Sequence, residues 1–210
     1  MSRQEPVLRA RGLRVQAPGG TVVQPTDLDA ASGEVTLVVA PKGSGRTSLL
    51  LALAGRMSGT EGDLRIGDVS LTHDRRHYRQ LASVARAGVF VDLEPQLLVR
   101  EAVVERTLTD NLKTVAGEWR FAQLALEVRD DPLISMPGDA LVDSLDEATT
   151  TVLTAILAML RPARLVVLDD VDARLTVDQW RSVHAALTRL ARYENCAIVC
   201  TSSTPAPQET

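Results

Sequence analysis

Two short stretches carry residues whose types and spacing can do chemistry. The first is Ala40-Pro41-Lys42-Gly43-Ser44-Gly45-Arg46-Thr47, which follows the apolar run at 35–39 and opens into an apolar segment ending at Gly55. A strand, a Gly-rich turn and a helix in that order form the context of a phosphate-binding loop. The expected pattern is Gly-x-x-x-x-Gly-Lys-Ser/Thr, and the chain departs from it twice, with Ala40 for the first Gly and Arg46 for the Lys. The candidate phosphate contacts are Lys42, Gly43, Ser44, Gly45, Arg46, Thr47 and Ser48. Successive backbone N–H groups there can curl round an anion at the positive end of the following helix. Thr47 offers a hydroxyl of the kind that ligates Mg²⁺. Arg46 keeps a positive charge, but as a planar fork rather than a compact ammonium. An ordinary Gly-rich turn between strand and helix is the alternative.

The second stretch is Leu165-Val166-Val167-Leu168-Asp169-Asp170. Four apolar residues ending in paired acids match the strand that carries an Mg²⁺-linked carboxylate, here Asp169. A buried strand that simply ends in polar loop residues has the same appearance. His73 and His77, spaced i,i+4, could grip a metal, but with Asp74 as the one nearby acid they read as a solvated face. Arg75, Arg76 and Arg79 on the same segment read likewise.

These residues need a scaffold, and the chain spells one out. Residues 7–15 and 21–28 alternate apolar and polar around the turn cluster Ala17-Pro18-Gly19-Gly20, which reads as an antiparallel hairpin. A strand at 35–39, a helix at 46–55 and a short strand at 63–66 follow. The segment 74–82 reads as a surface helix, and Gly88-Val89-Phe90-Val91 as a second apolar strand. From Val99 to Val128 the pattern is helical, broken near Ala116-Gly117. Glu147 to Leu160 is a helix with Val152, Leu153, Ile156, Leu157 and Leu160 at core spacing. Thr176-Val177-Asp178-Gln179 is a capping box opening a helix with Trp180, Val183, Leu187 and Leu190 on one face. Residues 196–201 form the last strand, and the polar, Pro-containing tail beyond it reads as loose. Strands alternating with helices give an α/β fold with a mostly parallel sheet.

Composition narrows the function classes. The 210 residues suit one domain with a substantial core, 45% hydrophobic and 24% charged. Aromatics make up 3%, too few for a single-strand stacking platform, and the net charge of −4 argues against nucleic acid as a partner. No apolar run approaches the length that spans a bilayer, and the N-terminus has no signal-peptide core. The expectation is a cytoplasmic protein that meets membranes through partners. Cys196 and Cys200, on one strand face, read as buried structural thiols.

The order of elements resembles the nucleotide-binding subunit of an ATP-binding cassette (ABC) transporter across nearly the whole chain. Ser32-Gly33-Glu34-Val35 before the loop and Leu98-Val99-Arg100-Glu101 after the second strand are typical of that family. The resemblance implies a P-loop NTPase-like fold with an N-terminal antiparallel β-layer and an inserted helical subdomain. Residues 1–92 and 145–202 would form the nucleotide-binding core, 93–144 the helical subdomain and 203–210 the tail. It also implies ATP and Mg²⁺ as cofactors, a membrane-spanning partner subunit meeting residues 90–101, and a dimer with itself or with a standard ATP-binding subunit. The protein would then sit peripherally at the inner face of the membrane.

The family's chemical positions are altered. No aromatic stands near Gln16 or Ala17 to stack on adenine, and the window Arg86–Val89 lacks the expected glutamine. Leu145-Asp146-Glu147-Ala148-Thr149 stands at the Leu-Ser-Gly-Gly-Gln signature, where two carboxylates would repel a partner's phosphate. Asp169 matches the Walker B aspartate, Asp170 replaces the catalytic glutamate, Thr176 the D-loop aspartate and Ser202 the switch histidine. A shorter acid misplaces an attacking water, and a hydroxyl cannot carry the charge of a histidine. The combination implies nucleotide binding with weak or absent hydrolysis. A working ATPase using Arg46 and Asp170, a scaffold that binds no nucleotide, and another phosphate-loop class suggested by Lys42 stay open.

Overall fold

The computed structural model describes residues 6–88 and 91–206. Strands β1 (Pro6–Ala17) and β2 (Gly20–Ala31) form the anticipated hairpin across a two-residue turn. With β4 (Thr60–Ile66) and β5 (Val69–Ser70) they make an antiparallel sheet in the order β2-β1-β4-β5. The second sheet is parallel, in the order β3-β8-β7-β6, built from β3 (Val35–Val39), β6 (Ala82–Arg86), β7 (Leu165–Leu168) and β8 (Ala197–Ser202). The helices are α1 (Arg46–Leu53), α2 (Arg75–Leu81), α3 (Val99–Thr109), α4 (Thr114–Leu126), α5 (Glu147–Ala158) and α6 (Val177–Glu194).

Strands β7 and β8 read as unbroken apolar runs because both faces are covered. Leu165, Val167, Ala197 and Val199 point into a core shared with β1, β4 and α1. Val166, Leu168, Ile198 and Cys200 point the other way, into a core shared with α3, α5 and α6. The parallel sheet is thus sandwiched, and the loops at the C-terminal ends of β3, β7 and β8 meet at one edge. In α/β sheets that edge is where ligands bind.

Two local expectations are corrected, and a third falls partly outside the described residues. An apolar strand lies at Ala82–Arg86, after which Gly88 adopts φ +53; Val89 and Phe90, at the centre of the strand expected at 88–91, lie outside the described residues. The break between α3 and α4 falls at 110–113, where Asn111 takes φ +55. Gly117 instead lies inside α4, buried against α3: a Cβ there would stand 2.0 Å from Thr107 Oγ1, so glycine lets the two helices touch. The start of the tail is also held. The Asp172 carboxylate accepts from the backbone N–H groups of Ser203 (3.1 Å) and Thr204 (3.0 Å) and from both hydroxyls. Trp180 Nε1 donates to the Pro205 carbonyl at 3.2 Å.

The capping box at Thr176 and Gln179 is present, and Trp180, Val183, Leu187 and Leu190 are buried. Asp74 caps α2 by accepting from the His77 N–H at 2.9 Å. Among the described residues no helix is long and apolar enough to cross a membrane.

Candidate nucleotide site

The loop between β3 and α1 is shaped by two glycines. Gly43 and Gly45 adopt φ +83 and +86. A Cβ on Gly45 would stand 2.4 Å from the Val22 carbonyl, so hairpin strand β2 presses on the loop and requires glycine there. Helix α1 starts at Arg46 with no side-chain cap. Its first-turn N–H groups have no partner inside the helix and can meet an anion. Lys42, Gly43 and Ser44 are exposed, while Thr47 and Ser48 are half-buried.

The end of β7 meets this loop. Thr47 Oγ1 donates to one carboxylate oxygen of Asp169, and Thr201 Oγ1 donates to the other. Asp169 is 2% exposed. The Thr47 hydroxyl and the Asp169 carboxylate therefore stand together, two oxygen groups of the kind that can ligate a hard cation. The N–H of Asp170 donates to Thr201 Oγ1 at 3.0 Å, so the switch strand fixes both acids of the pair.

Arg46 and Asp170 face each other directly. The Arg46 guanidinium, 6% exposed, forms an ion pair with the Asp170 carboxylate, whose side chain is 39% exposed. Arg46 Nη1 is buried and has no hydrogen-bond partner among the described residues. An orphaned buried guanidinium N–H costs free energy unless an acceptor arrives, and a phosphate oxygen is a fitting one. Asp170 sits at φ +47, a conformation that Asp tolerates through local hydrogen bonding.

Two arginines that sequence reasoning did not place in the site complete it. Arg86, at the end of β6, donates from Nε to the Asp169 carbonyl (3.2 Å) and from Nη2 to the Asp170 carbonyl (2.8 Å). Its Nη1 reaches Glu147 Oε1 at 3.1 Å, and Arg174 donates to Glu147 Oε2 at 2.6 Å. Glu147, one of the two acids at the signature position, is thus neutralised from both sides. The other, Asp146, caps α5 by accepting from the Thr149 N–H at 2.8 Å. The signal for Arg86 was present in the window that lacks a glutamine, but its partners lie far away in sequence.

Ser202 is fully buried at the end of β8, and its hydroxyl donates to the Thr204 carbonyl at 2.5 Å while accepting from the Thr204 N–H at 3.0 Å. It serves the local turn rather than pointing freely at the loop. Burial raises the Asp172 carboxyl, but hydrogen bonds from Ser203, Thr204 and Ser202 outweigh that and hold it below the ordinary carboxylate range. No cluster of metal-ligating side chains forms around His73 and His77 among the described residues.

A parallel sheet with a glycine loop at the end of β3 and a carboxylate at the end of β7, two strands away across β8, defines a P-loop NTPase-like protein. The family model described as "ABC transporter" matches residues 23–173, more than half of the chain. The chain belongs to the ABC transporter family. It is 28% identical to the ribose import ATP-binding protein RbsA 2 of Rubrobacter xylanophilus, over 81% of this chain and 33% of that protein. RbsA 3 of the same organism is 32% identical over 81% of this chain and 34% of its own length. The putative 2-aminoethylphosphonate import ATP-binding protein PhnT of Salmonella typhimurium is 30% identical over 51% of this chain and 33% of its own length. The chain therefore spans about a third of the length of these relatives. A solved nucleotide-free ATP-binding cassette from an ABC transporter superposes with a TM-score of 0.73 at 13% identity, covering 94% of this chain and 81% of that one. The ATP-binding subunit of another ABC transporter gives 0.67 at 16% identity, covering 93% and 79%. At such identities the likeness speaks for the fold alone.

Proposed function

We propose that this chain is the ATP-binding subunit of an ABC importer, binding Mg-nucleotide with weak or absent hydrolysis. The observation that carries the reading is the Arg46–Asp170 ion pair, with Arg46 Nη1 buried and still short of an acceptor. Residues 42–48 would hold the phosphates through backbone N–H groups, and Arg46 would add one charge-assisted bond. Thr47 and Asp169 would hold Mg²⁺, which neutralises phosphate charge in such sites. Asp170, the residue at the position of the water-activating acid, is engaged by the very guanidinium that replaces the loop lysine. A carboxylate oxygen held in that way is not free to orient a water, and Ser202 is turned to its own strand end. Both departures reduce chemistry more than binding.

The names of the relatives support import as the direction. Residues 1–92 and 145–202 would act as the nucleotide core, with 93–144 as the helical arm. A membrane-spanning partner would meet residues 90–101 from the cytoplasmic side, and a second ATP-binding subunit would complete a dimer.

Isothermal titration of the purified chain with Mg-ATP, paired with a phosphate-release assay, tests this. The expected result is saturable heat with phosphate release at background. Steady release abolished by Asp170→Ala would establish a working ATPase instead. Absence of heat at millimolar nucleotide, with the fold intact, would leave a scaffold.

A further inference from the structure

The loop at 40–47 has no positive charge to spare. Arg46 is 6% exposed, and its guanidinium is paired through Nη2 with the Asp170 carboxylate. Asp169, 2% exposed, accepts from the hydroxyls of Thr47 and Thr201. Arg86 is occupied elsewhere, its N–H groups going to the Asp169 and Asp170 carbonyls and to Glu147. Lys42 is exposed, so water screens its charge. Arg46 and Lys42 therefore face two carboxylates, with no formal surplus for an incoming anion.

The donors left free are few. The backbone N–H groups of Gly45, Arg46, Thr47 and Ser48 make no hydrogen bond among the described residues, whereas that of Ser44 goes to the Pro41 carbonyl at 3.3 Å. Arg46 Nη1 is the one buried side-chain nitrogen without a partner among the described residues. Main-chain donors at a helix start, with one guanidinium N–H, suit the oxygens of a single terminal phosphate. In loops of this kind the amides cradle the α- and β-phosphates, and the lysine reaches the β- and γ-phosphates. Here the residue at the lysine position has its other terminal nitrogen closed by a carboxylate.

We propose that Asp170 determines specificity here, making the loop take a nucleoside diphosphate in preference to a triphosphate. The selection rests on the nucleotide reading of residues 42–48 and deepens it: the Asp170 carboxylate stands in for a third phosphate as the counter-ion of Arg46. A diphosphate meets the free amides and Nη1 without disturbing the pair. A triphosphate brings a further negative group to a cation that is already neutralised. Either the Arg46–Asp170 pair opens, or two anions share one guanidinium. Both are unfavourable, the more so because Arg46 is shielded from water. Asp170 is itself 39% exposed, which keeps the penalty modest.

The test is calorimetric titration of the full chain with Mg-ADP and with Mg-ATP, repeated on Asp170→Asn. Asparagine tolerates the φ of +47 at this position and keeps the side-chain shape, so the variant changes charge rather than backbone. Mg-ADP should bind the natural chain about tenfold more tightly than Mg-ATP. Asp170→Asn should bring the two nearly level, chiefly by tightening Mg-ATP. The natural-chain ratio is read without any variant, so it stands even if Asp170→Asn fails to fold. Equal affinities in the natural chain, or tighter Mg-ATP, overturn the selection and leave the nucleotide reading in place. A folded Asp170→Asn chain that keeps the natural preference does the same. Binding of neither nucleotide overturns the nucleotide reading and the selection together.

Discussion

The two arginine-rich regions of this molecule differ in bookkeeping rather than in composition. At the loop, Arg46, Arg86 and Arg174 face Asp170, Glu147 and the ends of β7, and each guanidinium reaches a carboxylate. At the other end of α1, Arg56, Arg79, Arg106 and Arg161 line one cavity and share a single carboxylate, Asp110. Where charges are matched they lock elements together, and where they are unmatched they face solvent, as exposed Arg56 does. The arginines at the loop are thus tied inward, while a surplus has collected around Arg79, which sequence reasoning placed on a solvated face.

The contrast can be broken by substitution, beginning with the strongest lock. Arg86→Ala removes donors from the Asp169 and Asp170 carbonyls and leaves Glu147 with the exposed Arg174 alone. Loss of buried charge-assisted bonds should cost about 3 kcal/mol, read by urea denaturation. A loss under about 1 kcal/mol would mean that water substitutes readily and that the lock is weak. Next comes a double-mutant cycle of Arg46→Ala and Asp170→Ala. Because Asp170 is 39% exposed, the coupling should be about 1 kcal/mol rather than the larger value of a fully buried pair. Raising salt should shrink it only slightly, since Arg46 is shielded. The smallest effect belongs to the unmatched side. Arg56→Gln should change unfolding free energy by less than about 0.5 kcal/mol, or raise it by relieving like-charge repulsion. A marked loss of stability there would show that Arg56 is a structural tie and erase the contrast.

What the sequence made legible was whatever short-range pattern dictates. The unbroken apolar runs of β7 and β8, the glycines at 43 and 45 and the capping box at Thr176 each declare themselves within a few residues. So the parallel sheet, the antiparallel layer and the loop with its acid could be read in order. The meeting of Thr47 with Asp169 followed from that order. Arg86 was illegible because its partners at Glu147, Asp169 and Asp170 are brought close only by the sheet. Gly117 misled for a related reason: a glycine in a helical pattern resembles a break, yet here it makes room for Thr107. The arginine cavity is assembled from the loop after α1, α2, α3 and the loop after α5, and no stretch of sequence contains it.

The thiols of Cys196 and Cys200 are fully buried; Cys200 lies within β8, the strand held between β3 and β7, while Cys196, expected on the same strand, immediately precedes it. Burial pushes the Cys196 thiol up to about 12 and the Cys200 thiol higher still, so both stay protonated and unreactive while the sheet is closed. The chain therefore carries its own internal clock: the rate at which a thiol reagent consumes these sulfurs times how often the middle of the sheet comes apart.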